Sequence, residues 1–344
     1  MYKKLGYRLA ALGLGVFGIA MFMTNSSIKT TAIAEAAVNP LTAKWSGPYG
    51  GLPPFDKVKI ADFKPALETA MAENLKEVDT IASNPAKPSF ENTIAAIERS
   101  GQMLDRVSTI YGIWSTSMSS DDFEPIQTEM EPALAAHGDK ITQNSALFNR
   151  IKAVYDLESK KRSAKGEKYR LVWKYYTDFV RQGAKLDAAK KARLAEINQK
   201  LAGLFTKFSQ NLLGDEGQLN LVLTSEADLA GLPQSLKDSA AAAATSKGKA
   251  GQWLIRNTRS SIDPFLTYSD RRDLREKAFK MFINRGDNGD ARDNNGIIPE
   301  ILQLRAERAK LLGYATHAHW RLEPQMAKTP ENAMKLMEGV WPAA

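Results

Sequence analysis

Cysteine is absent from all 344 residues, and histidine occurs only three times, as His137, His317 and His319. The first absence excludes disulfide frameworks, iron–sulfur clusters, thiolate zinc sites and cysteine nucleophiles together. The second leaves few ways to assemble a histidine-based metal site. His-Glu-x-x-His and Gly-x-Ser-x-Gly do not occur, and beyond the N-terminal segment there is neither a phosphate-binding glycine loop nor a dinucleotide fingerprint. The longest uncharged apolar stretch is the fifteen residues Leu9 to Met23. What remains is ordinary for a globular chain: 43% hydrophobic and 25% charged residues, with 15 prolines and 23 glycines, which excludes disordered and collagen-like polymers. The length suits one large domain or two modest ones.

The N-terminus has the layout of an export signal. Lys3, Lys4 and Arg8 precede the apolar run, and Ala32-Ile33-Ala34 and Ala34-Glu35-Ala36 follow it as small-x-small cleavage sites. As a helix the run would span roughly 22 Å at about 1.5 Å per residue, short of the ~30 Å hydrocarbon core. A signal peptide over residues 1–36 is therefore expected, with an uncleaved membrane anchor as the alternative. Without cysteine, a lipid-modified N-terminus is excluded. Residues 1–34 carry four of the 47 basic residues and none of the 39 acidic ones, so the remainder carries a formal charge of +4 rather than +8. That subtraction weakens a nucleic-acid reading. Membrane contact is expected only through the leader.

After a proline- and glycine-rich arm at 39–56, the apolar pattern is helical almost throughout. Asp62 is placed to cap a helix through Leu67, Met71, Leu75 and Val78, ended by the prolines of 84–89. Ile94, Ile97, Leu104, Val107, Tyr111 and Trp114 form one stripe on a single expected helix. Further helices are expected over 123–137, 145–159 and 167–182. A long helix follows through Leu194, Ile197, Leu201, Leu204, Phe208 and Leu212, with Gly214 as its C-terminal cap. Leu219, Leu221 and Leu223 alternate, and 252–258 is also strand-like, so a small β insertion is expected near 218–258 around a helix begun at Ser235. Helices resume at Ser269, interrupted by the polar loop 285–296. The fold class is thus mainly α.

The candidate chemical sites weaken on inspection. His317 and His319 lie two residues apart, about 200° around a helix, and cannot chelate one ion unless the backbone is extended. The acidic loop 285–296 fails as a calcium loop: with Gly296 at the sixth position, the twelfth is Leu302. It reads better as a solvated loop capping the helix that begins near Pro299. No close carboxylate pair stands out as a glycosidase site. The Lys/Arg tract at 160–170 reads as a solvated face, and Trp173, Tyr175, Tyr176 and Phe179 read as core packing rather than base stacking.

Five segments carry a resemblance: FDKVKIADFKPALETAM (55–71), SFENTIAAIERSGQMLDRV (89–107), RLAEINQKLAGLFTKFSQNLL (193–213), DPFLTYSDRRDLREKAF (263–279) and LRAERAKLLGYATHAHWRLEPQMAKTPENAMKLM (304–337). In this order they resemble the thimet oligopeptidase and neurolysin family of zinc metallopeptidases, nearest its peptidyl-dipeptidase branch. The resemblance implies a neurolysin-like multi-helical lobe beside a deep channel. It also implies Zn2+ held by His-Glu-x-x-His and a downstream Glu, and oligopeptide substrates that lose C-terminal dipeptides.

This sequence ends at EGVWPAA before that motif is reached. The resemblance therefore assigns residues 37–258 to an N-terminal helical region and 259–344 to the beginning of a catalytic domain that is incomplete, its other half missing. No catalytic, cofactor-binding or metal residue transfers to any position here, and the chain alone is expected to be inactive. Helices beyond residue 300 are expected to expose apolar faces and to be the most labile part. Export to the periplasm is expected, with membrane anchoring or secretion as alternatives. The competing reading is a non-catalytic exported helical module that binds peptides or another protein.

Overall fold

The computed structural model describes residues 38–48, 51–160 and 166–344. The expected signal peptide, and residues 161–165 of the charged tract, lie outside these described residues. Asn39 to Ala344 forms one compact unit. Among the described residues no helix is long and apolar enough to cross a membrane.

Helix α1 (Ile60–Ala82) serves two cores. Its first half turns Phe63, Ala66, Leu67 and Ala70 inward, where they meet residues of α3 (Gln102–Ser117) and α4 (Glu124–Thr142). The Phe63 ring lies 5.2 Å from both Trp114 and Phe123. Leu41 plugs this cluster from the preceding arm, which is held by an Asn39 Nδ2 bond to the Asp62 carbonyl at 2.8 Å. The second half contributes Val78 and Ile81 to another cluster, built with α5 (Ser145–Ser159) and α6 (Glu167–Arg181). Asp62 is not the cap residue itself. It sits at the third helical position, and its carboxylate accepts from the Lys59 amide at 2.8 Å, so the helix starts three residues earlier than expected.

The stripe from Ile94 to Trp114 does not lie on one helix. A π-helical turn (Phe90–Ile94) leads into the short α2 (Ala95–Arg99), which stops at Ser100, and Gly101 then takes φ +74° before α3 begins. The Gly101 amide donates to Glu77 Oε2 at 2.6 Å, and a Cβ at this position would lie 3.0 Å from Asn74 Nδ2. Left-handed backbone and close approach both call for glycine. The break divides the stripe: Ile94 belongs to the second core, whereas Val107, Tyr111 and Trp114 belong to the first.

Helix α7 (Ala188–Gln218) is the spine, 31 residues and so about 46 Å long. The Asp187 side chain caps it by accepting from the Lys190 amide at 2.9 Å. One flank binds α4 through Asn198 Nδ2 to Asp139 Oδ1 and Gln210 Nε2 to the Glu124 carbonyl, at 2.8 and 3.0 Å. Elsewhere Ile197 and Leu201 pack on Ile301 and Leu304 of α11 (Ile297–Leu311).

Gly214 does not cap this helix, which runs four residues further. A Cβ on Gly214 would meet Arg292 Cδ at 2.6 Å, so its role is to let the 285–296 loop approach. Nor is that loop simply solvated. Asn294 is buried and accepts from Asn211 Nδ2 at 2.8 Å. The fully buried Asp215 accepts from Arg292 Nε, the Gly286 amide and Asn288 Nδ2, at 2.7, 2.8 and 2.8 Å.

The β insertion is present. Strands β1 (Asn220–Leu223) and β2 (Trp253–Arg256) pair antiparallel, Asn220 opposite Arg256, with α8 (Gln234–Ser246) between them in sequence. With α9 (Arg259–Tyr268) and α10 (Arg272–Ile283) they enclose Leu223, Ile255, Ile262, Phe265 and Leu274.

The region past residue 300 is not uniformly exposed. Ile301, Leu304 and Ala309 of α11 are buried, whereas α12 (His317–Leu322) and α13 (Pro330–Val340) contain no buried residue.

The two kinds of glycine lead to opposite expectations. Gly101→Ala should destabilise the chain by ~1–2 kcal/mol through its left-handed backbone. Gly112→Ala, helical and with open space around it, should stabilise by about 1 kcal/mol. Denaturant midpoints measure both, and equal shifts would refute the assignment.

Asp215 yields an acid-dependent expectation. Burial pushes its carboxyl up, but the Gly286 amide, Arg292 and Asn288 together outweigh burial and hold it below the ordinary value. A lowered carboxylate stabilises above its unfolded pKa, ~3.9, and that contribution is lost as pH falls through the folded value. Asp215→Asn should therefore cost roughly 3 kcal/mol at pH 7, and its gap from the parent should shrink below about pH 4. A gap independent of pH in urea melts would rule this out.

Candidate functional site

Where α6, α7, α11 and α12 converge, they enclose a cleft of about 340 Å³. Its polar lining holds three cations, Arg181, Arg308 and Arg321, beside Asp178, Gln182 and Asn198, and Trp320, Leu194, Leu312 and Pro324 supply apolar wall.

Arg181, buried at the end of α6, fastens α12 to the bundle. Its Nη2 donates to the Trp320 carbonyl at 2.5 Å, its Nη1 pairs with Glu323, and Trp320 Nε1 donates back to the Arg181 carbonyl at 3.1 Å. Tyr314 Oη bonds the same Glu323, and burial followed by that hydrogen bond raises its phenol to about 12.

Arg308 lies 4.6 Å over the Trp320 ring, and its Nη1 donates to Asn198 Oδ1 at 3.2 Å. Asn198 in turn donates to Asp139, whose carboxyl burial pushes up. Burial, then the nearby Arg305 and Arg321, lower Arg308 to about 10. The Nε atoms of Arg305 and Arg308 are buried and have no hydrogen-bond partner.

The three histidines are not brought together. His317 sits 5.5 Å from the Trp320 ring, its Nδ1 buried without a partner, and burial with Arg305, Arg308 and Arg321 drives it down to about 4. His319 Nδ1 contacts Thr316 Oγ1 at 2.8 Å, and its Nε2 lies 3.7 Å from Glu331. His137 Nε2 is bonded to Asn74 Oδ1 at 3.0 Å inside the bundle. Among the described residues no three His, Asp or Glu side chains stand close enough to hold a metal ion. They do not fit a zinc centre.

The aromatic set divides. Tyr176 stacks on Tyr155 at 4.1 Å and on Phe148 at 5.9 Å, and Phe179 is buried, as core packing requires. Trp173 instead lies half-buried beneath Arg170, 4.2 Å from its ring. The arginine cleft escaped sequence reasoning, although one signal was present: Arg305 and Arg308 are like charges at i and i+3 on one helix, a repulsive spacing. Helix α13 presents a different feature. Met334, Leu336, Met337 and Val340 are all exposed, and Trp341 beyond them is 81% exposed.

Residues 265–343, from α9 through α13, match Peptidase family M3. The chain is 35% identical to a dipeptidyl carboxypeptidase of Escherichia coli over 310 residues, 89% of this chain and 45% of that one. It is 33% identical to the dipeptidyl carboxypeptidase of Salmonella typhimurium over 308 residues, with 90% and 45% covered. A probable cytosolic oligopeptidase A of Arabidopsis thaliana is 29% identical over 295 residues, with 83% and 41% covered. The chain thus resembles peptidase family M3 over residues 265–343 and two dipeptidyl carboxypeptidases over about nine-tenths of its length. It spans about half the length of the curated relatives it matches.

Arg181→Ala should release α12 by removing its anchors to the Trp320 carbonyl and Glu323, at a cost of ~1–3 kcal/mol. Hydrogen exchange should quicken over residues 314–323 before the rest of the bundle. Unchanged protection there would show that α12 is held otherwise.

Proposed function

We propose that this chain forms the helical lobe of an exported zinc metallopeptidase that releases dipeptides from the carboxyl end of oligopeptides. The observation that carries the reading is the similarity over about nine-tenths of the chain to two dipeptidyl carboxypeptidases. The exposed apolar face of α13 supports it further. Met334, Met337 and Val340 recur at three and three, and a contiguous apolar face of this kind is characteristic of an interaction surface. In the reading proposed here, a further part of the peptidase covers that face.

The zinc centre belongs to that further part. When bound, the metal would activate a water and polarise the scissile carbonyl. No residue of this chain is assigned a step in that chemistry. The chain alone is therefore inactive, and its contribution is to shape one wall of the space that oligopeptides enter. Export, most simply to the periplasm, is supported by the basic, apolar and small-residue order of residues 1–36.

Reading the coding DNA past Ala344 tests the assignment directly. A continuing frame that carries His-Glu-x-x-His supports the peptidase, and an immediate stop codon leaves the non-catalytic binding module instead. For the purified chain, the expected result is no dipeptide release from an oligopeptide with a free carboxyl terminus, with or without added zinc. Release abolished by a chelator would overturn the claim that the catalytic apparatus is absent.

A further inference from the structure

We propose that the cleft between α6, α7, α11 and α12 is a binding site for a small carboxylate carried on an apolar stem, held by Arg308 and Arg321 against the Trp320 ring. It is independent of the peptidase reading, since it uses only side chains this chain supplies.

The argument begins from charge. Four guanidiniums gather around Trp320: Arg181, Arg308 and Arg321 lie 6.0, 4.6 and 5.6 Å from its ring, and Arg305 lies close to Arg308. Nearby acids are largely committed. Glu323 pairs with Arg181, Asp178 with Lys174 at 2.5 Å, and Asp139 accepts from Asn198 through Oδ1, its Oδ2 being buried without a hydrogen-bond partner. Arg305 and Arg321 form no ion pair among the described residues, and Arg308 has only the neutral Asn198 amide as a hydrogen-bond partner. Arg308 is half-buried with only the attraction of Asp139 and no ion pair, and a guanidinium withdrawn from water without a paired counter-ion is costly. Two of these arginines also keep a buried Nε without an acceptor, and His317 keeps a buried Nδ1 in the same state. Of these only Arg308 lines the cavity, and its unmet donor, with the Arg181 and Arg321 guanidiniums on the same lining, points to an anion.

The lining narrows the anion. Guanidiniums bind carboxylates in a fork geometry. Leu194, Leu312, Pro324 and the indole provide apolar contact beside them, which an inorganic oxyanion would leave unused. The cavity of about 340 Å³ lies at the small end of ligand sites, sized for one amino-acid-like group. Asp178 on the lining disfavours a doubly charged phosphate more than a single carboxylate.

Three probes separate the possibilities on the full chain: N-acetyl-leucine, N-acetyl-leucinamide and inorganic phosphate, each titrated by calorimetry and by the His317 ring signals in NMR. The acid should bind at least tenfold more tightly than the amide and than phosphate, shift the His317 signals, and weaken as salt is raised. Arg321 is exposed, so Arg321→Gln should leave the fold intact and weaken the acid about tenfold. Arg308→Met should weaken it further. Equal binding of acid and amide, tighter binding of phosphate, no binding of the acid at millimolar concentration, or an Arg321→Gln protein that binds the acid unchanged would each overturn the proposal.

Discussion

The carboxylate of Asp215 ties the end of the spine helix to the connection between α10 and α11. It is fully buried near the end of α7, and three donors from the α10–α11 connection converge on it. That connection leaves the core around the β insertion and enters the helix that packs on the spine. Its register therefore sets how α11 lies along α7, and with α11 the position of Arg308. A buried charge is a poor source of net stability but a demanding one for geometry, because losing any partner leaves it uncompensated. Gly214 belongs to the same arrangement, since only a residue without Cβ lets the Arg292 stem cross the helix at that point.

The same economy of long elements governs the N-terminal half. Helix α1 contributes to two clusters, with Phe63 and Leu67 in one and Val78 and Ile81 in the other. The chain between α1 and α4 must reach both, and the turn at Gly101 allows it. Glu77, on α1, accepts the Gly101 amide, so the helix that defines both cores also places the break that serves them. Arg150 completes the arrangement: buried on α5, it donates to the Asn84 and Ala86 carbonyls and to Asn92 Oδ1, satisfying loop groups that would otherwise be stranded.

These cases show what a linear reading captures and what it does not. Apolar periodicity located nearly every helix, and alternation at Leu219, Leu221 and Leu223 located β1, because both are local properties of backbone geometry. The errors lie where a distant residue decides. Gly214 follows a helical stripe and looks like a cap, yet its role depends on Arg292, 78 positions later. Ser100-Gly101 sits inside a continuous apolar stripe, and only the partnership with Glu77 reveals the turn. The cleft was hidden for the same reason: Arg181, Asn198, Arg308 and Trp320 are unremarkable on their own helices and acquire meaning by meeting.

Family resemblance and the physics of the cleft address different scales of function. The resemblance is spread over helices whose residues mainly pack, and a packed helix can be shared by relatives of quite different specificity. The arginines around Trp320 are not explained by packing. A core seeking stability alone would be better served by apolar residues of similar volume than by half-buried guanidiniums. Their place beside an apolar wall is what the proposed carboxylate site rests on, and the exposed face of α13 is what the proposed partner surface rests on. Both features are energetic debts in the isolated chain, one electrostatic and one hydrophobic. They lie on the same stretch from α11 to α13, within the segment that matches the peptidase family. The carboxylate of Asp215 is met by three donors, whereas Arg305 and Arg308 keep Nε atoms without a partner.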